Sequence, residues 1–190
     1  MAKYDPERHH RRSVRFQGYD YTQNGAYFVT MCIHNRECLF GEIRDDGIMR
    51  LNECGEIVQD EWLRTEIIRR EVELDVFLVM PNHFHAIVVI MGDVGTDKQD
   101  RAHSRAPLQT PSSATLYRPP KSLGSLIAGF KAAVTKGINV LRDTPGAPVW
   151  QRSYFDRIIR DEKSLNLARQ YIENNPAKWA DDRENPVNVN

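Results

Sequence analysis

The fold is decided by the stretch Met80-Pro81-Asn82-His83-Phe84-His85-Ala86-Ile87-Val88-Val89-Ile90, in which two histidines stand at the head of a strongly apolar run. The run predicts a β-strand, and since successive side chains of a strand point to opposite faces, His83 and His85 share one face. Residues two apart in a strand are separated by about 6.5–7 Å, close enough for two imidazoles to bind one ion. The pair is therefore predicted to bind a metal ion; the alternative is two histidines that are only hydrogen-bonded at a strand edge.

The elements predicted around this strand alternate between strands and helices. Only Pro81-Asn82 separates it from a strand ending at Met80, which predicts an antiparallel hairpin. The other strands are predicted at Ala26 to His34, near Ile48 to Leu51, at Val72 to Met80 and at Val149 to Phe155. Helices are predicted from the cap Asn52 to Arg70, from Lys121 to Leu141 and from Glu162 to Asn175. This order predicts an α+β fold, a ferredoxin-like or RRM-like antiparallel sheet with helices packed on one face.

Length and composition predict a single domain spanning residues 1–190. We expect a basic N-terminal arm at 1–16, a mobile loop rich in Gly, Pro, Ser and Thr at 92–120, and a loose polar tail at 181–190. No apolar run approaches the roughly 18–20 residues of a membrane span, and the arm is basic rather than apolar, so it does not predict a secretory signal. A cytoplasmic protein without a membrane partner is expected. Three cysteines without Cys-x-x-Cys spacing are expected to be reduced: Cys32, Cys38 and Cys54.

The net charge is zero, but the cationic residues are segregated along the chain. The arm 1–16 is rich in arginine, and the segment 117–142 contains no acidic residue. Segregated cations can neutralise phosphates locally, so both regions predict nucleic-acid binding; the alternative is a solvated tail and an ordinary helix face. The predicted DNA-binding side chains are Arg11, Arg12, Arg15, Lys121 and Lys131.

The last predicted helix carries Tyr171 and Asn175 four residues apart, which places them on one face. Two histidines and an amide oxygen would form a mixed site for a divalent cation that leaves positions open for a phosphate. A tyrosine beside such an ion is a candidate nucleophile, although its pKa of about 10 requires assistance from the ion or a neighbour. The alternative for Tyr171 is core packing.

Six blocks of the sequence, in this order, resemble one known family. They are Arg11-Arg12-Ser13-Val14-Arg15, Gly25-Ala26-Tyr27-Phe28-Val29-Thr30, Asn35-Arg36-Glu37 with Leu39-Phe40-Gly41, Met80-Pro81-Asn82-His83-Phe84-His85, Trp150-Gln151-Arg152-Ser153-Tyr154 and Tyr171-Ile172-Glu173-Asn174-Asn175-Pro176. The chain resembles the REP-associated tyrosine transposases of bacteria, which are single-tyrosine HUH transposases.

This resemblance implies an HUH endonuclease fold with His83 and His85 as ligands of Mg²⁺ or Mn²⁺ and Tyr171 as the nucleophile. Asn175 stands where relatives often carry a glutamine ligand, and it is the implied third ligand. The implied activity is metal-dependent nicking and joining of single-stranded DNA at repetitive extragenic palindromic (REP) hairpins through a 5′-phosphotyrosine intermediate, in DNA transposition or REP dissemination. A bacterial cytoplasmic protein, nucleoid-associated when bound and either a monomer or a homodimer, is implied.

Two other functions remain open at this point. A domesticated relative would bind REP hairpins without cleaving them, and it would keep the same residues. A ferredoxin-like fold also serves as an RNA-binding module, which would need an aromatic stacking motif on a central strand. The histidines occupy that place in this sequence.

Overall fold

The computed structural model describes residues 19–91, 119–182 and 184–188. Six strands are present in these ranges: β1 (Gly25–Cys32), β2 (Gly41–Ile43), β3 (Met49–Leu51), β4 (Val72–Val79), β5 (His83–Ile90) and β6 (Phe155–Ile159). The three α-helices are α1 (Glu53–Ile68), α2 (Leu123–Leu141) and α3 (Glu162–Glu173). Short 3-10 helices cover His34–Arg36, Pro176–Asp181 and Pro186–Asn188.

A four-stranded antiparallel sheet in the order β4-β5-β1-β6 forms the centre of the fold. The predicted α+β class and the predicted hairpin of β4 and β5 are confirmed. Strand β1 lies between β5 and β6, so the register places Thr30 opposite both His85 and Phe155. The histidine strand is therefore central, and the residues flanking it on β1 and β6 are fixed by the ladder.

The two faces of the sheet are covered differently. Helices α1 and α2 pack on one face, where Phe84, Trp62 and Phe130 belong to the main apolar core. Helix α3 packs on the other face through Ile172, which is buried against Phe28, Ile87 and Ile159. The expectation that all helices lie on one face is therefore wrong. Alternate residues of β1, β5 and β6 give the second face an apolar patch of its own, and α3 covers it.

The final strand begins later than predicted. Only Trp150 of the predicted strand Val149 to Phe155 forms a bridge, to Ile33, and β6 starts at Phe155. The carbonyls of Gln151 and Ser153 instead accept hydrogen bonds from the ammonium of Lys131, each at 2.9 Å. A side chain from another element thus takes up carbonyl groups that the prediction assigned to a strand ladder.

The short strand β2 was not predicted, because three residues are too few to show an alternating pattern. It pairs with β3, and Gly41 begins it at φ +139°, where a Cβ atom would lie 2.0 Å from the carbonyl oxygen of Arg50. Glycine is required there by the backbone conformation and by the close approach of the neighbouring strand.

Glu184, within the loose tail predicted for 181–190, contacts residues of the fold. Asn82 Nδ2 donates to the carbonyl of Glu184 at 2.6 Å, and the carboxylate of Glu184 lies 3.2 Å from Arg36 Nε. Side-chain contacts with distant residues, which composition does not reveal, fix this polar segment. The predicted arm 1–16 and all but the last two residues of the predicted loop 92–120 lie outside the described residues. Within the described part of the chain, no helix is long and apolar enough to cross a membrane.

Candidate active site

Strand β5 places both predicted metal ligands on the face covered by α3. His83 is completely buried and His85 is 3% exposed, and their ring centroids are 4.6 Å apart. The intervening residue, Phe84, points into the opposite core. The alternation expected of a strand therefore brings the two imidazoles together, as the sequence predicts.

Asn82 fixes the orientation and the tautomer of His83. Its Nδ2 donates to the carbonyls of Arg36 at 3.1 Å and Glu184 at 2.6 Å, so its Oδ1 is the atom that faces His83 Nδ1, at 2.9 Å. Because an amide oxygen only accepts, Nδ1 of His83 carries the proton and Nε2 carries the lone pair. This is the arrangement by which neighbouring groups hold a histidine ready to bind a metal through its other nitrogen.

Thr30 plays the corresponding part for His85. Its hydroxyl lies 2.8 Å from His85 Nδ1, across the ladder between β1 and β5. A hydroxyl can accept from an Nδ1–H group, which would leave Nε2 of His85 as the free acceptor. The Nε2 atoms of both histidines are buried without a hydrogen-bond partner.

Burial also sets the protonation of the two imidazoles. Desolvation lowers the pKa of His83 to about 4, with the negative charge of Asp182 and the Asn175 side chain acting in the opposite direction. Desolvation lowers the pKa of His85 well below its usual value, and the proximity of His83 adds to the effect. Both rings are therefore neutral at neutral pH, which is the form that binds metals.

Helix α3 is fixed to the sheet by both polar and apolar contacts. Arg169 makes a bidentate ion pair with Asp75 of β4, with Nη2 2.6 Å from Oδ2, and this hydrogen bonding lowers the pKa of Asp75. Ile172 is buried on the sheet, and the Asp161 carboxylate caps the first turn by accepting from the Ser164 amide. Tyr171 on this helix and Asn175 just beyond its end are thereby held beside the histidines.

Tyr171 and Asn175 come to the histidines from this helix and its end. The Tyr171 ring centroid lies 5.3 Å from that of His85. Asn175 is 3% exposed, and its Oδ1 is buried without a hydrogen-bond partner. The structure thus brings together all four residues that the sequence predicts for the site.

These residues fit a divalent cation. A buried polar atom without a partner costs roughly 1–3 kcal/mol, yet three such atoms, the Nε2 atoms of both histidines and Oδ1 of Asn175, occur in one site. Two imidazoles and an amide oxygen form a mixed donor set that suits a divalent ion of intermediate hardness. Among the described residues, no group of three or more His, Cys, Asp and Glu side chains could hold a metal ion. A third ligand beside the two histidines would therefore be a side chain of another type, and this is the part given to the Asn175 amide oxygen.

Tyr171 lies between the histidines and open solvent. Its side chain is 47% exposed, and it lines a cavity of about 980 Å³ that also reaches His83, His85 and Asn175. Burial of part of the ring and the charge of Asp182 raise the pKa of its phenol, while the Asn175 side chain acts to lower it. Without a bound cation, the phenol is therefore protonated at neutral pH.

The predicted DNA-binding cations have different positions. Lys131 is partly buried; its ammonium binds two main-chain carbonyls and lies 5.8 Å from the ring centroids of Trp150 and Tyr154. Desolvation lowers the pKa of its ammonium to about 8. Because the ammonium already binds two carbonyl groups, these internal contacts compete with any phosphate. Lys121 is exposed immediately before the α2 cap Ser122. The three arm arginines predicted to bind DNA, Arg11, Arg12 and Arg15, lie outside the described residues.

Sequence reasoning missed two residues that orient the histidines. Asn82 was interpreted only as part of a turn. Its position directly before His83 is the one sequence feature that could have indicated a contact with the His83 ring. Thr30 gave no local signal, because its contact with His85 spans 55 residues of sequence and depends on strand register.

Comparison with known proteins gives a relative in sequence and neighbours in structure. An uncharacterized protein of Haemophilus influenzae is 38% identical over 182 residues, which cover 96% of this chain and 97% of the relative. The structure of the REP-associated tyrosine transposase bound to a REP hairpin superposes with a TM-score of 0.51 at 16% identity, covering 86% of this chain and 73% of that one. No family model matches the sequence.

Proposed function

Because the chain belongs to one family with the Haemophilus influenzae protein and has the fold of the REP-associated tyrosine transposase, we propose that it nicks and rejoins single-stranded DNA beside a hairpin. One observation carries the proposal. Three buried atoms that lack hydrogen-bond partners, on His83, His85 and Asn175, meet beside a half-exposed tyrosine at an open cavity. A bound divalent cation would pair all three atoms, and such an ion beside a tyrosine could assist phosphoryl transfer.

Each residue has a distinct part in the proposed reaction. His83 Nε2, His85 Nε2 and Asn175 Oδ1 would hold Mg²⁺ or Mn²⁺, with Asn82 and Thr30 orienting the two rings. When bound, a divalent cation would polarise the scissile phosphate, neutralise the departing oxygen and favour the phenolate.

Tyr171 would be the attacking group. Its phenol oxygen forms a bond to phosphorus as the bond from phosphorus to the 3′ oxygen breaks. The phenol proton passes to solvent, and the departing 3′ oxygen takes up a proton. The product is a 5′-phosphotyrosine link and a free 3′ hydroxyl. Since the link is still a phosphoester, a 3′ hydroxyl can attack it, restore the DNA strand and return the proton to the tyrosine without an external energy source.

The proposed substrate is a REP-like hairpin with a single-stranded flank; the structural neighbour is bound to a REP hairpin. The basic arm 1–16 is proposed to contact the phosphates of the flank, and exposed Lys121 those of the hairpin. A monomer or homodimer in the bacterial cytoplasm is the proposed setting.

One observation favours a second candidate, a hairpin-binding protein that does not cleave. Burial and the charge of Asp182 both raise the pKa of Tyr171, which opposes formation of the phenolate. A domesticated protein would keep the fold and the DNA contacts, and its tyrosine would remain protonated. The two candidates differ in whether a covalent product forms.

The test is incubation of the protein with end-labelled hairpin DNA and Mg²⁺ or Mn²⁺, followed by denaturing electrophoresis. We expect a denaturant-resistant adduct with the unmodified chain and none with Tyr171→Phe or His85→Ala, while hairpin affinity persists in both variants because phosphate contacts supply most of it. His34→Ala, at an exposed histidine outside the site, is the matched control and should form the adduct. Hairpin binding without any adduct in either metal would favour the non-cleaving protein.

A further inference from the structure

The cavity beside Tyr171 contains an exposed aromatic residue that the proposed reaction does not use. We propose that Phe155 stacks on an unpaired nucleobase next to the scissile phosphate, so that the site holds single-stranded DNA by a base as well as by its backbone. This inference rests on the proposed function. It adds a binding residue, and it identifies the ligand of this part of the cavity as a flat aromatic base.

Strand register places Phe155 in line with the histidines. His85, Thr30 and Phe155 lie opposite one another on β5, β1 and β6, in that order. Neighbouring strands are about 4.8 Å apart, so the backbone of Phe155 is roughly 10 Å from that of His85 across the sheet. A phosphate at the histidines would therefore have a flanking base within reach of Phe155.

The Phe155 side chain is held in place but is not buried. Its ring meets Phe28 edge to face, with centroids 6.4 Å apart and an interplanar angle of 69°. Phe28 in turn stacks on His85 and contacts Tyr171, at centroid distances of 5.6 and 5.8 Å. Even so, 47% of Phe155 remains exposed, and it lines the same cavity as Tyr171. A rigidly positioned ring with an exposed surface is the feature that proteins use to bind single-stranded DNA by stacking.

The surrounding charge favours an anionic strand along β6. Arg157 is two residues beyond Phe155 and on the same face of the strand, and it is exposed to the cavity, as is Lys178. No described carboxylate lies within ion-pair distance of either cation. The pKa of the Asp161 carboxyl is lowered mainly by hydrogen bonds from the Ser164 amide and hydroxyl, and the charge of Arg157 adds to this effect. Both cations are thus available to the phosphates of a bound strand.

The cavity also contains acidic residues close to the histidines and to Tyr171. Glu184 is paired with Arg36 and joined to Asn82 through its carbonyl, and Asp182 acts electrostatically on His83. A DNA strand that crosses the site would be repelled near these carboxylates and attracted by Arg157 of β6.

The experiment separates base stacking from phosphate binding. Fluorescence anisotropy in EDTA would measure the affinity of the full chain for labelled dT₁₂ and for a twelve-unit abasic strand with the same number of phosphates. We expect the unmodified chain to bind dT₁₂ more tightly, and Phe155→Leu, which keeps apolar contact with Phe28 but has no aromatic face, to weaken dT₁₂ binding by about 5- to 150-fold with little effect on the abasic strand.

Three further variants serve as controls. Phe155→Trp should preserve the preference for dT₁₂, since it keeps a stacking surface. Arg157→Ala should weaken both strands alike, because it acts on phosphates. Ile67→Ala, at a residue that is 80% exposed on α1 and far from the cavity, should leave both affinities unchanged.

The proposal would be overturned if the unmodified chain bound neither strand or did not distinguish them, or if Phe155→Leu weakened both equally or neither. These measurements need no cleavage, so they are independent of the adduct assay. An adduct without any base preference would refute the stacking site alone, and a base preference that depends on Phe155 without any adduct would refute the nuclease alone.

Discussion

The two faces of β5 differ although their residues alternate along one strand. Phe84, Ala86, Val88 and Ile90 belong to the core beneath α1 and α2, where aromatic side chains pack closely against one another. On the other face, His83 and His85 are equally buried, but their Nε2 atoms have no hydrogen-bond partner.

The contrast shows that burial has opposite consequences on the two faces. Apolar burial stabilises the fold by about 25 cal/mol per Å², whereas a buried polar atom without a partner destabilises it. A sheet with a well-packed core on one side can tolerate an unfavourable polar cluster on the other. The helix-covered core therefore supports the stability of the chain, and the face beneath α3 is free to carry the proposed chemistry.

Replacement of Phe84 by alanine should have the largest effect on stability. The Phe84 ring is completely buried, and its centroid lies 5.0 Å from that of Trp62 and 5.4 Å from that of Phe130. Its removal should therefore lower the free energy of unfolding by about 3–5 kcal/mol. Denaturant unfolding would measure this loss. Gln in place of the adjacent His85 should cost far less, and equal losses at both positions would contradict the division between the faces.

Acid should destabilise the histidine face next most strongly. The pKa of the His83 imidazole is lower in the folded protein than in the unfolded chain, so the unfolded chain binds a proton at a higher pH. Protonation then favours unfolding, and stability is lost as pH falls from 6.5 to about 4. For His83 this loss amounts to about 3 kcal/mol, since one pKa unit corresponds to about 1.4 kcal/mol.

Denaturant unfolding of the metal-free protein at pH 7.5 and pH 5 would measure the effect of acid. The variant with both His83→Gln and His85→Gln is the control, because it retains every carboxylate that titrates in the same range. If the unmodified chain and the variant lost the same stability between these pH values, the two histidines would not be neutral in the folded protein.

Divalent metal should stabilise the unmodified chain through the same histidines. At a free Mn²⁺ concentration of one hundred times Kd, binding to the folded state adds about 2.7 kcal/mol. Thermal unfolding in Mn²⁺ and in EDTA would measure the difference. His85→Gln should abolish it and His34→Gln, at an exposed position, should retain it; stabilisation that survives in His85→Gln would exclude this face as the metal site.

Tyr154→Phe should have the smallest effect. The ring would still lie near the Lys131 ammonium, and only a hydroxyl would be lost, so the free energy of unfolding should fall by at most about 1 kcal/mol. The covalent adduct should still form, as electrophoresis would show. Loss of the adduct in a fully folded variant would make Tyr154 part of the reaction.

Local periodicity was sufficient to predict the histidine face and its partner helix. The alternation at His83 and His85 and the four-residue spacing of Tyr171 and Asn175 each depend on one element only. That strand β5 and helix α3 lie side by side was implied by the family resemblance. The structure brings them together, with the ring centroids of His85 and Tyr171 5.3 Å apart.

Features that depend on contacts between distant residues were missed. Lys131 occupies two carbonyls of the segment before β6, Asn82 holds the C-terminal segment at Glu184, and α3 packs on the face away from the other helices. No local pattern encodes these contacts, because each joins residues at least 20 positions apart or depends on the choice of face. The roles of the site residues remain predictions.

The central claim, that Tyr171 attacks DNA beside the two histidines, is tested most directly by mapping the covalent adduct. After reaction with hairpin DNA in Mn²⁺ and nuclease trimming of the DNA, mass spectrometry of proteolytic peptides would locate the residual nucleotide. We expect it on the peptide that contains Tyr171, attached to the phenol oxygen through a 5′ phosphate. A nucleotide on Tyr154 or on any other side chain would contradict the account.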